Sequence, residues 1–228
     1  MAETVPEIPW PVLTKFVSQL THDLRNHLNA VELQAAFLNE IGTDEEIKAE
    51  IKRLREMTGQ FAAHLQKLSV SLKSPAPQTM TYAAKEFVED LRDRTEREQP
   101  ELAAAIDWRD SLGAEAFQID PQLLQEAFHE LFVNAATHDR AEGAVTFESR
   151  SRGDTIEFVL REPKSGGFSS NTENWGKRPL ETVRRGHYGL GLFRARGIFQ
   201  AHAGTLQAQF DPAASVLITT VALPRAQS

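Results

Sequence analysis

The first third of the chain repeats apolar residues at the period of an α-helix. From residue 13 to residue 38 apolar positions recur every three or four residues, and the rhythm returns between residues 47 and 72 with Thr58 as a polar interruption. This spacing predicts two amphipathic helices that pack antiparallel as a hairpin. A lone hairpin leaves its apolar stripe open to water, so the pattern favours a homodimer that completes a four-helix bundle.

The turn between these helices carries residues that end and start helices. We expect Gly42 to end the first helix in a left-handed conformation. Thr43 and Glu46 have the spacing of a capping box, which predicts that the second helix starts there.

A mixed pattern of strands and helices follows the Pro-rich stretch Ser74-Pro75-Ala76-Pro77. Alternation of apolar and polar residues predicts strands, and helical spacing predicts helices. Strands are predicted at residues 80–83, 105–108, 116–119, 144–149, 155–160, 205–210 and 216–223, and helices at 84–98, 121–137 and 190–202. The fold class is therefore α+β, with a helical hairpin in residues 1–74, a linker in 75–78 and a sheet packed against helices in 79–228.

Composition and charge narrow the classes of protein to which the chain can belong. Of 228 residues, 41% are hydrophobic and 25% are charged, which is typical of a globular protein. The net charge of −7 argues against a nucleic-acid partner, and the lack of cysteine excludes disulfides and thiol catalysis. No apolar run reaches the roughly 20 residues that span a bilayer. We expect a soluble, cytoplasmic protein without a membrane span.

A candidate reactive histidine lies inside the first predicted helix, in the stretch Thr-His-Asp-Leu-Arg-Asn-His-Leu at residues 21–28. If the seam is formed by Leu20, Leu24 and Leu28, His22 lies on the outer flank of the bundle. Asp23 can accept a proton from the imidazole and leave a ring nitrogen as nucleophile. Asn26 is one turn further along the same face. The simpler interpretation is a surface histidine, one of seven in the chain.

A second cluster of polar residues lies on the helix predicted at 121–137. Glu130, Asn134, Thr137 and His138 are spaced to share one face, while Leu131 and Ala135 can pack inward. An Asn oxygen is a suitable hard ligand for Mg²⁺ carried by nucleotide phosphates, and Glu130 can orient a water or assist a metal. Alone, this pattern also fits the polar face of a surface helix.

The third candidate is a glycine-rich stretch, Gly-His-Tyr-Gly-Leu-Gly-Leu at residues 186–192, which opens a predicted helix. Glycines let the backbone approach a ligand, and free amides at a helix start attract anions. Residues 161–196 hold eight Lys or Arg against three acids, which makes this segment basic. A solvated charge run beside a flexible helix start is the alternative. The chain has no P-loop motif.

Together, in this order, the three stretches resemble the transmitter region of two-component sensor histidine kinases. Residues 21–28 look like its H box, 130–138 like its N box, and 189–192 with the helix and strand after them like its later glycine box. The resemblance covers residues 12–224. It implies a dimerisation and phosphotransfer hairpin followed by a Bergerat-type α/β sandwich that binds ATP and Mg²⁺.

The resemblance also implies roles for the residues of the hairpin. His22 would accept the γ-phosphoryl group of ATP and pass it to an Asp of a response regulator, and Asp23 would be the adjacent acid or base. Asn26 occupies the position that many family members use to place a water for dephosphorylating the regulator. The signal is expected to come from a separate sensor protein or from a longer chain of which this is a piece.

For the α/β domain the resemblance implies a nucleotide site. Asn134 would hold Mg²⁺, and Gly189 and Gly191 would let the loop pass close to the triphosphate. The residues implied in this site are Glu130, Asn134, Thr137, His138, Glu162, Gly189, Leu190, Gly191 and Leu192.

The chain departs from the family pattern at five of the quoted positions. His27 stands where the family usually has a proline that bends the helix. Glu130 replaces the usual Asn, and Thr137 stands where Lys is common. In the first glycine box, Glu162 occupies the place of the adenine-reading Asp, and Lys164 replaces a glycine. Lys164 can close the adenine pocket or meet a phosphate.

Three functions fit these residues. The preferred hypothesis is an ATP-dependent histidine kinase that autophosphorylates on His22. The altered first glycine box favours a histidine phosphotransferase that keeps the fold but has lost ATP binding. A non-enzymatic binding module ranks last, because it gives the histidine-bearing hairpin no purpose.

Overall fold

The computed structural model describes residues 9–165, 172–180 and 189–226. The chain divides into two compact units, residues 1–73 and 74–228. Within the described ranges, none of the helices combines the length and apolar character needed to cross a membrane.

The first unit is a hairpin of two long helices, α1 (Trp10–Ile41) and α2 (Glu45–Leu72). Helix α1 starts directly after Pro9, because proline is tolerated in a first turn, where backbone amides have no helical partner. The helix continues through His27, which keeps the backbone N–H that a proline would remove.

The turn between α1 and α2 differs from both predictions made for it. Gly42 ends α1 in an extended conformation, with φ −70° and ψ 135°, so the left-handed cap was wrong. The N-cap of α2 is Asp44, whose Oδ1 accepts hydrogen bonds from the amides of Glu46 and Ile47 at 2.8 and 3.3 Å. The Thr43 capping box was therefore also wrong, because the Asp carboxylate, one residue nearer the helix, satisfies two free amides.

The buried seam of the hairpin contains small and polar residues. Thr21 and Ala35 are buried on α1, and α2 buries residues at seven-residue spacing, namely Ile51, Thr58 and Leu65. The hydroxyls of Thr21 and Thr58 donate to carbonyls of their own helices, at 2.7 and 2.8 Å. Leu20, predicted in the seam, is 45% exposed.

The second unit contains the strands and the shorter helices. Its elements in chain order are β1 (Met80–Ala83), α3 (Ala84–Glu98), α4 (Pro100–Ala104), β2 (Ile106–Asp110), β3 (Ala116–Ile119), α5 (Pro121–Thr137), β4 (Val145–Arg152), β5 (Thr155–Pro163), a 3₁₀ turn (Thr172–Asn174), α6 (Gly191–Ala201), β6 (Thr205–Asp211) and β7 (Val216–Pro224).

Five of these strands form a sheet in the order β2-β4-β5-β7-β6. Strands β2 and β4 run parallel and the other neighbours run antiparallel, while β1 and β3 make a separate antiparallel pair. Aromatic rings join the sheet to the helices, since Phe128 of α5 lies 4.9 Å from Phe158 of β5 and 5.2 Å from Phe199 of α6, between ring centroids. The predicted α+β class, with a helical hairpin followed by a sheet packed against helices, is confirmed.

Two strands of this sheet position the candidate site. Ile156, Phe158, Leu160 and Glu162 alternate along β5 and are buried on the face that packs against the helices. On β7, Leu217 pairs with Glu162 and Thr219 pairs with Leu160. The carboxylate of Glu162 therefore lies at the end of an otherwise apolar row.

A buried histidine connects the end of α6 to the start of α5. His202 Nε2 accepts a hydrogen bond from the amide of Asp120 at 3.0 Å, and its Nδ1 contacts the carbonyl of Ile198 at 2.8 Å. Since a carbonyl only accepts, the ring proton is on Nδ1. Asp120 in turn caps α5 through the amide of Leu123 at 3.1 Å.

Candidate functional site

His22 is displayed on the surface of α1. Its side chain is 66% exposed, and its Nδ1 lies 3.2 Å from Oδ1 of Asp23. Gln19, one turn earlier, donates to the same carboxylate oxygen at 2.9 Å. Asn26 Nδ2 lies 3.4 Å from His22 Nδ1, so three polar side chains surround the imidazole on one flank of the hairpin.

Of the two contacts with Nδ1 of His22, the shorter one, with Asp23, favours a protonated Nδ1 and so leaves Nε2 as the nucleophile, whereas the longer one, with the donating amide of Asn26, would need an unprotonated Nδ1. The Asp23 carboxylate has no proton to give, so in the neutral ring the hydrogen bond places the proton on Nδ1. Nε2 then carries the lone pair. The geometry is that of a histidine whose tautomer is favoured by a neighbouring carboxylate and whose ring is open to a reactant.

Helix α5 presents the second cluster only in part as predicted. Leu131 and Ala135 are buried against the core, as expected. Glu130 and Asn134 are half-buried one turn apart, and Thr137 is exposed at the end of the helix.

His138 does not belong to the shared face. It follows the helix as its C-cap, with an extended backbone at φ −108° and ψ 114°. The prediction that it lies on the face of Glu130 and Asn134 was wrong, because the helix ends at Thr137.

The glycine run brings the start of α6 against Glu130. Gly189 has a positive φ of 62°, Leu190 is buried, and Gly191 is the first residue of α6, followed by the half-buried Leu192. A Cβ at Gly191 would overlap Oε2 of Glu130. The glycine thus allows the carboxylate to lie at a helix N-terminus that has no side-chain cap. Residues 186–188 lie outside the described residues.

Glu162 is buried and forms an ion pair with Lys164. It is 3% exposed, and its Oε2 forms an ion pair of 2.7 Å with Nζ of Lys164, which is also 3% exposed. The same Nζ donates to the carbonyl of His138 at 2.7 Å. Burial raises the pKa of Glu162, and the charge of Lys164 opposes that rise.

Two basic residues of the segment 161–196 connect elements of the second unit to one another. Arg194 on α6 pairs with Glu126 on α5 at 3.0 Å. Arg196 donates to the carbonyls of Trp175 and Leu206, at 2.8 and 2.6 Å, and its burial lowers the pKa of the guanidinium. Arg184 and Arg185 lie outside the described residues.

Sequence reasoning missed two contributors to these sites. Gln19 orients Asp23, and its i, i+4 spacing was the available signal. Thr219 is 1% exposed, and its hydroxyl has no hydrogen-bond partner among the described residues. Alternation along β7 was enough to place it on the inward face, but not to show that its hydroxyl is unpaired.

The residues that the sequence implies for the phosphates would fit a magnesium nucleotide better than the residue that it implies for the base. Glu130 offers hard oxygen atoms beside the start of α6, whose amides favour anions, and Asn134 follows one turn later on α5. On the base side, the carboxylate expected to read adenine is held by Lys164.

Comparison with known proteins finds likeness only at the level of structure. No family model matches the chain, and no curated protein matches its sequence. Full-length ShkA in complex with AMPPNP matches with a TM-score of 0.69 at 15% identity, over 94% of this chain and 46% of that one. The chain thus spans less than half of ShkA.

Two further structures match closely enough to support the fold. The histidine kinase AdeS of Acinetobacter baumannii matches with a TM-score of 0.53 at 18% identity, covering 89% of this chain and 97% of that one. The catalytic domain of histidine kinase ThkA has a TM-score of 0.52 at 15% identity, over 64% and 95% of the two chains. The hairpin followed by the α/β unit is therefore the fold of a sensor histidine kinase transmitter region.

Proposed function

We propose that this chain is an ATP-dependent protein-histidine kinase of a two-component system that autophosphorylates on His22. The observation that carries the proposal is the exposed imidazole whose Nδ1 is hydrogen-bonded to Asp23. A buried structural histidine, such as His202, uses both ring nitrogens inside the protein. His22 presents one of them to solvent.

In the proposed reaction, each of these residues has a different role. When bound, ATP supplies the γ-phosphoryl group, which forms a bond to nitrogen as its bond to the ADP oxygen breaks. Asp23 holds the proton on Nδ1 and stabilises the charge that the ring gains when Nε2 attacks. Asn134 and Glu130 are the residues that would hold Mg²⁺, and the amides at the start of α6 would orient the phosphates.

The phosphoryl group then passes from His22 to an Asp of a response regulator, and a homodimer is the expected working form. Asn26 lies one turn from His22, with its Nδ2 3.4 Å from Nδ1 of the imidazole, which supports a role in positioning a water for dephosphorylating a regulator bound at this flank. Asn26→Ala should retain autophosphorylation but slow dephosphorylation of the regulator. Equal dephosphorylation by the two proteins would refute this role.

A specific observation favours a second candidate, a histidine phosphotransferase that does not bind ATP. Glu162, at the place expected to read the base, is buried and paired with Lys164. A protein of this kind would keep the hairpin and receive the phosphoryl group on His22 from another protein.

The deciding experiment incubates the purified chain with Mg²⁺ and γ-labelled ATP. The comparison includes His22→Gln, Asn134→Ala and the matched control His27→Gln, which changes another exposed histidine of α1. We expect acid-labile label on the wild type and on His27→Gln, and none on His22→Gln. Label that persists on His22→Gln would contradict the assignment of the acceptor.

The same proteins distinguish the two candidates. Loss of label in Asn134→Ala supports the kinase. If the wild type binds no nucleotide but accepts phosphate on His22 from a phosphorylated donor protein, the phosphotransferase replaces it.

A further inference from the structure

Lys164 stands where the compared family pattern has a glycine, and its ammonium occupies the space beside Glu162. Nζ donates to Oε2 of Glu162 and to the carbonyl of His138, both at 2.7 Å. The two side chains are 2% and 4% exposed, so the contact is shielded from water. The ammonium of Lys164 thus occupies the space in front of Oε2 of Glu162 while the pair persists.

The ion pair is part of a clamp between two chain segments. Ser165 donates its amide to the carbonyl of Asp139 at 2.8 Å, and Arg140 and Lys164 form an isolated antiparallel bridge. The segment after α5 and the segment after β5 are therefore tied together at the end of the polar helix face. Lys164 adds the only charged donor in this clamp among the described contacts.

A second buried polar group lies on the same face of the sheet. Thr219 pairs with Leu160 across β5 and β7, so it is a diagonal neighbour of Glu162, at about 7 Å between Cβ atoms by strand geometry. Its hydroxyl is 1% exposed and has no partner among the described residues. An unpaired buried hydroxyl beside a buried carboxylate is a place prepared for a polar ligand.

Stability alone does not explain the ion pair. Replacing a buried ion pair by apolar side chains of similar size is often neutral or stabilising. Methionine at position 164 together with glutamine at position 162 would fill much of the same volume without either desolvated charge.

We propose that Lys164 is a gate of the nucleotide-base site, because its ammonium takes the place of the amino group that Glu162 would otherwise accept from the base. This inference rests on the proposed function, in which the base lies against Glu162. Entry of the base requires Lys164 to leave Glu162, so the protein without nucleotide is held in a closed state.

The test measures dissociation constants of Mg²⁺-ATP and Mg²⁺-inosine triphosphate by calorimetry, with the wild type, Lys164→Met and Asn134→Ala. Inosine triphosphate has an oxo group where ATP has its amino group. We expect Lys164→Met to bind ATP about tenfold more tightly, since one charge-assisted hydrogen bond no longer competes. The gain for inosine triphosphate should be smaller.

A second variant keeps the test informative if Lys164→Met does not fold. Glu162→Gln combined with Lys164→Met removes both buried charges and keeps an amide oxygen that accepts from an amino group. Circular dichroism and thermal melting check that each variant is folded. Because Lys164→Met leaves the Glu162 carboxylate unpaired, a lower melting temperature of that variant fits either role, and a merely structural Lys164 is recognised by ATP binding that is no tighter in either variant.

The outcomes separate this inference from the proposed function. Unchanged or weaker ATP binding in both Lys164 variants, or an equal gain for the two nucleotides, overturns the gate. If Asn134→Ala still weakens binding in that case, the kinase proposal stands. Binding by Lys164→Met where the wild type binds none supports the gate and favours the phosphotransferase. No binding by any of them overturns both the gate and the kinase.

Discussion

At the residue scale, we expect the contact between Gly191 and Glu130 to matter for phosphorylation and little for the stability of the fold. The carboxylate lies where the first side-chain carbon of any other residue would be. Because this carboxylate is the far end of a flexible side chain, it can move away at little cost in folding free energy. The same movement would take it from the start of α6, where the phosphates are expected.

Gly191→Ala should therefore slow labelling of His22 by about tenfold or more while changing the free energy of unfolding by less than about 1 kcal/mol. The matched control is Gly197→Ala in the same helix, where a Cβ would meet only Pro75 at 3.6 Å. The control should raise stability by about 0.5–1 kcal/mol, as Ala favours a helix interior, and leave labelling unchanged. Urea titration and labelling rates measure both, and equal labelling by the two variants would refute the role of Gly191.

The sequence was informative about single residues where the local pattern determines the environment. His22, Asp23 and Asn26 are neighbours on one helix, so their proximity follows from helical spacing alone. The pair formed by Glu162 and Lys164 was open to two interpretations. Its partner, the carbonyl of His138, lies 26 residues away, and only the folded chain brings the two together.

At the element scale, His202 holds the end of α6 to the start of α5. Replacing it by leucine leaves the amide of Asp120 without its partner and removes the side-chain donor to the carbonyl of Ile198, which keeps only the backbone amide of residue 202 at 3.2 Å. His202→Leu should lower the free energy of unfolding of this unit by about 2 kcal/mol or more.

The matched control for this prediction is Gln200→Leu, an exposed position of the same helix that receives the same apolar side chain. Its stability should stay within about 0.5 kcal/mol of the wild type in urea titrations. Equal stability of the two variants would show that the histidine is not a structural link.

Element boundaries were predictable where a strong local signal had no competitor. Asp120 and Pro121 start α5 as expected, because the carboxylate caps the helix and proline fits its first turn. At the turn between α1 and α2, two neighbouring residues could cap the second helix, and Asp44 rather than Thr43 became the cap. The short helix α4 was missed because five residues carry too little periodicity.

At the scale of the whole molecule, the hairpin leaves large apolar side chains on its surface. Ile47, Leu54 and Phe61 are spaced seven residues apart on α2 and are 45–55% exposed. On α1, Val31 and Leu38 are also seven residues apart and exposed. This spacing is that of a coiled-coil seam, so we expect a second copy of the chain to cover it.

Light scattering during size-exclusion chromatography should give twice the 25.5 kDa mass of the chain. Leu54→Glu combined with Phe61→Glu should shift the mass to that of one chain, because two buried charges would face the partner. Gln60→Glu, an exposed neighbour on the same helix, should leave the dimer intact. A wild type that elutes as a single chain would contradict the expectation.

The order of the strands in the sheet could not be predicted from the sequence. Alternation identified the strands, but it carries no information on which edges meet, and β2 pairs in parallel with β4 across the residues 111–144 that separate them. The layout of sheet and helices was still predictable, since each predicted element had one apolar face to bury.

The seam of the hairpin has a mechanical consequence. Its hydroxyls are satisfied within their own helices, so among the described contacts none of them ties one helix to the other. The side-chain hydrogen bonds described between the helices, such as that of Arg55 with Glu32, are exposed, and water can replace them. Sliding α1 along α2 would therefore break no buried hydrogen bond among these contacts, and the packing of buried apolar side chains such as Ala35, Ile51 and Leu65 is what opposes it.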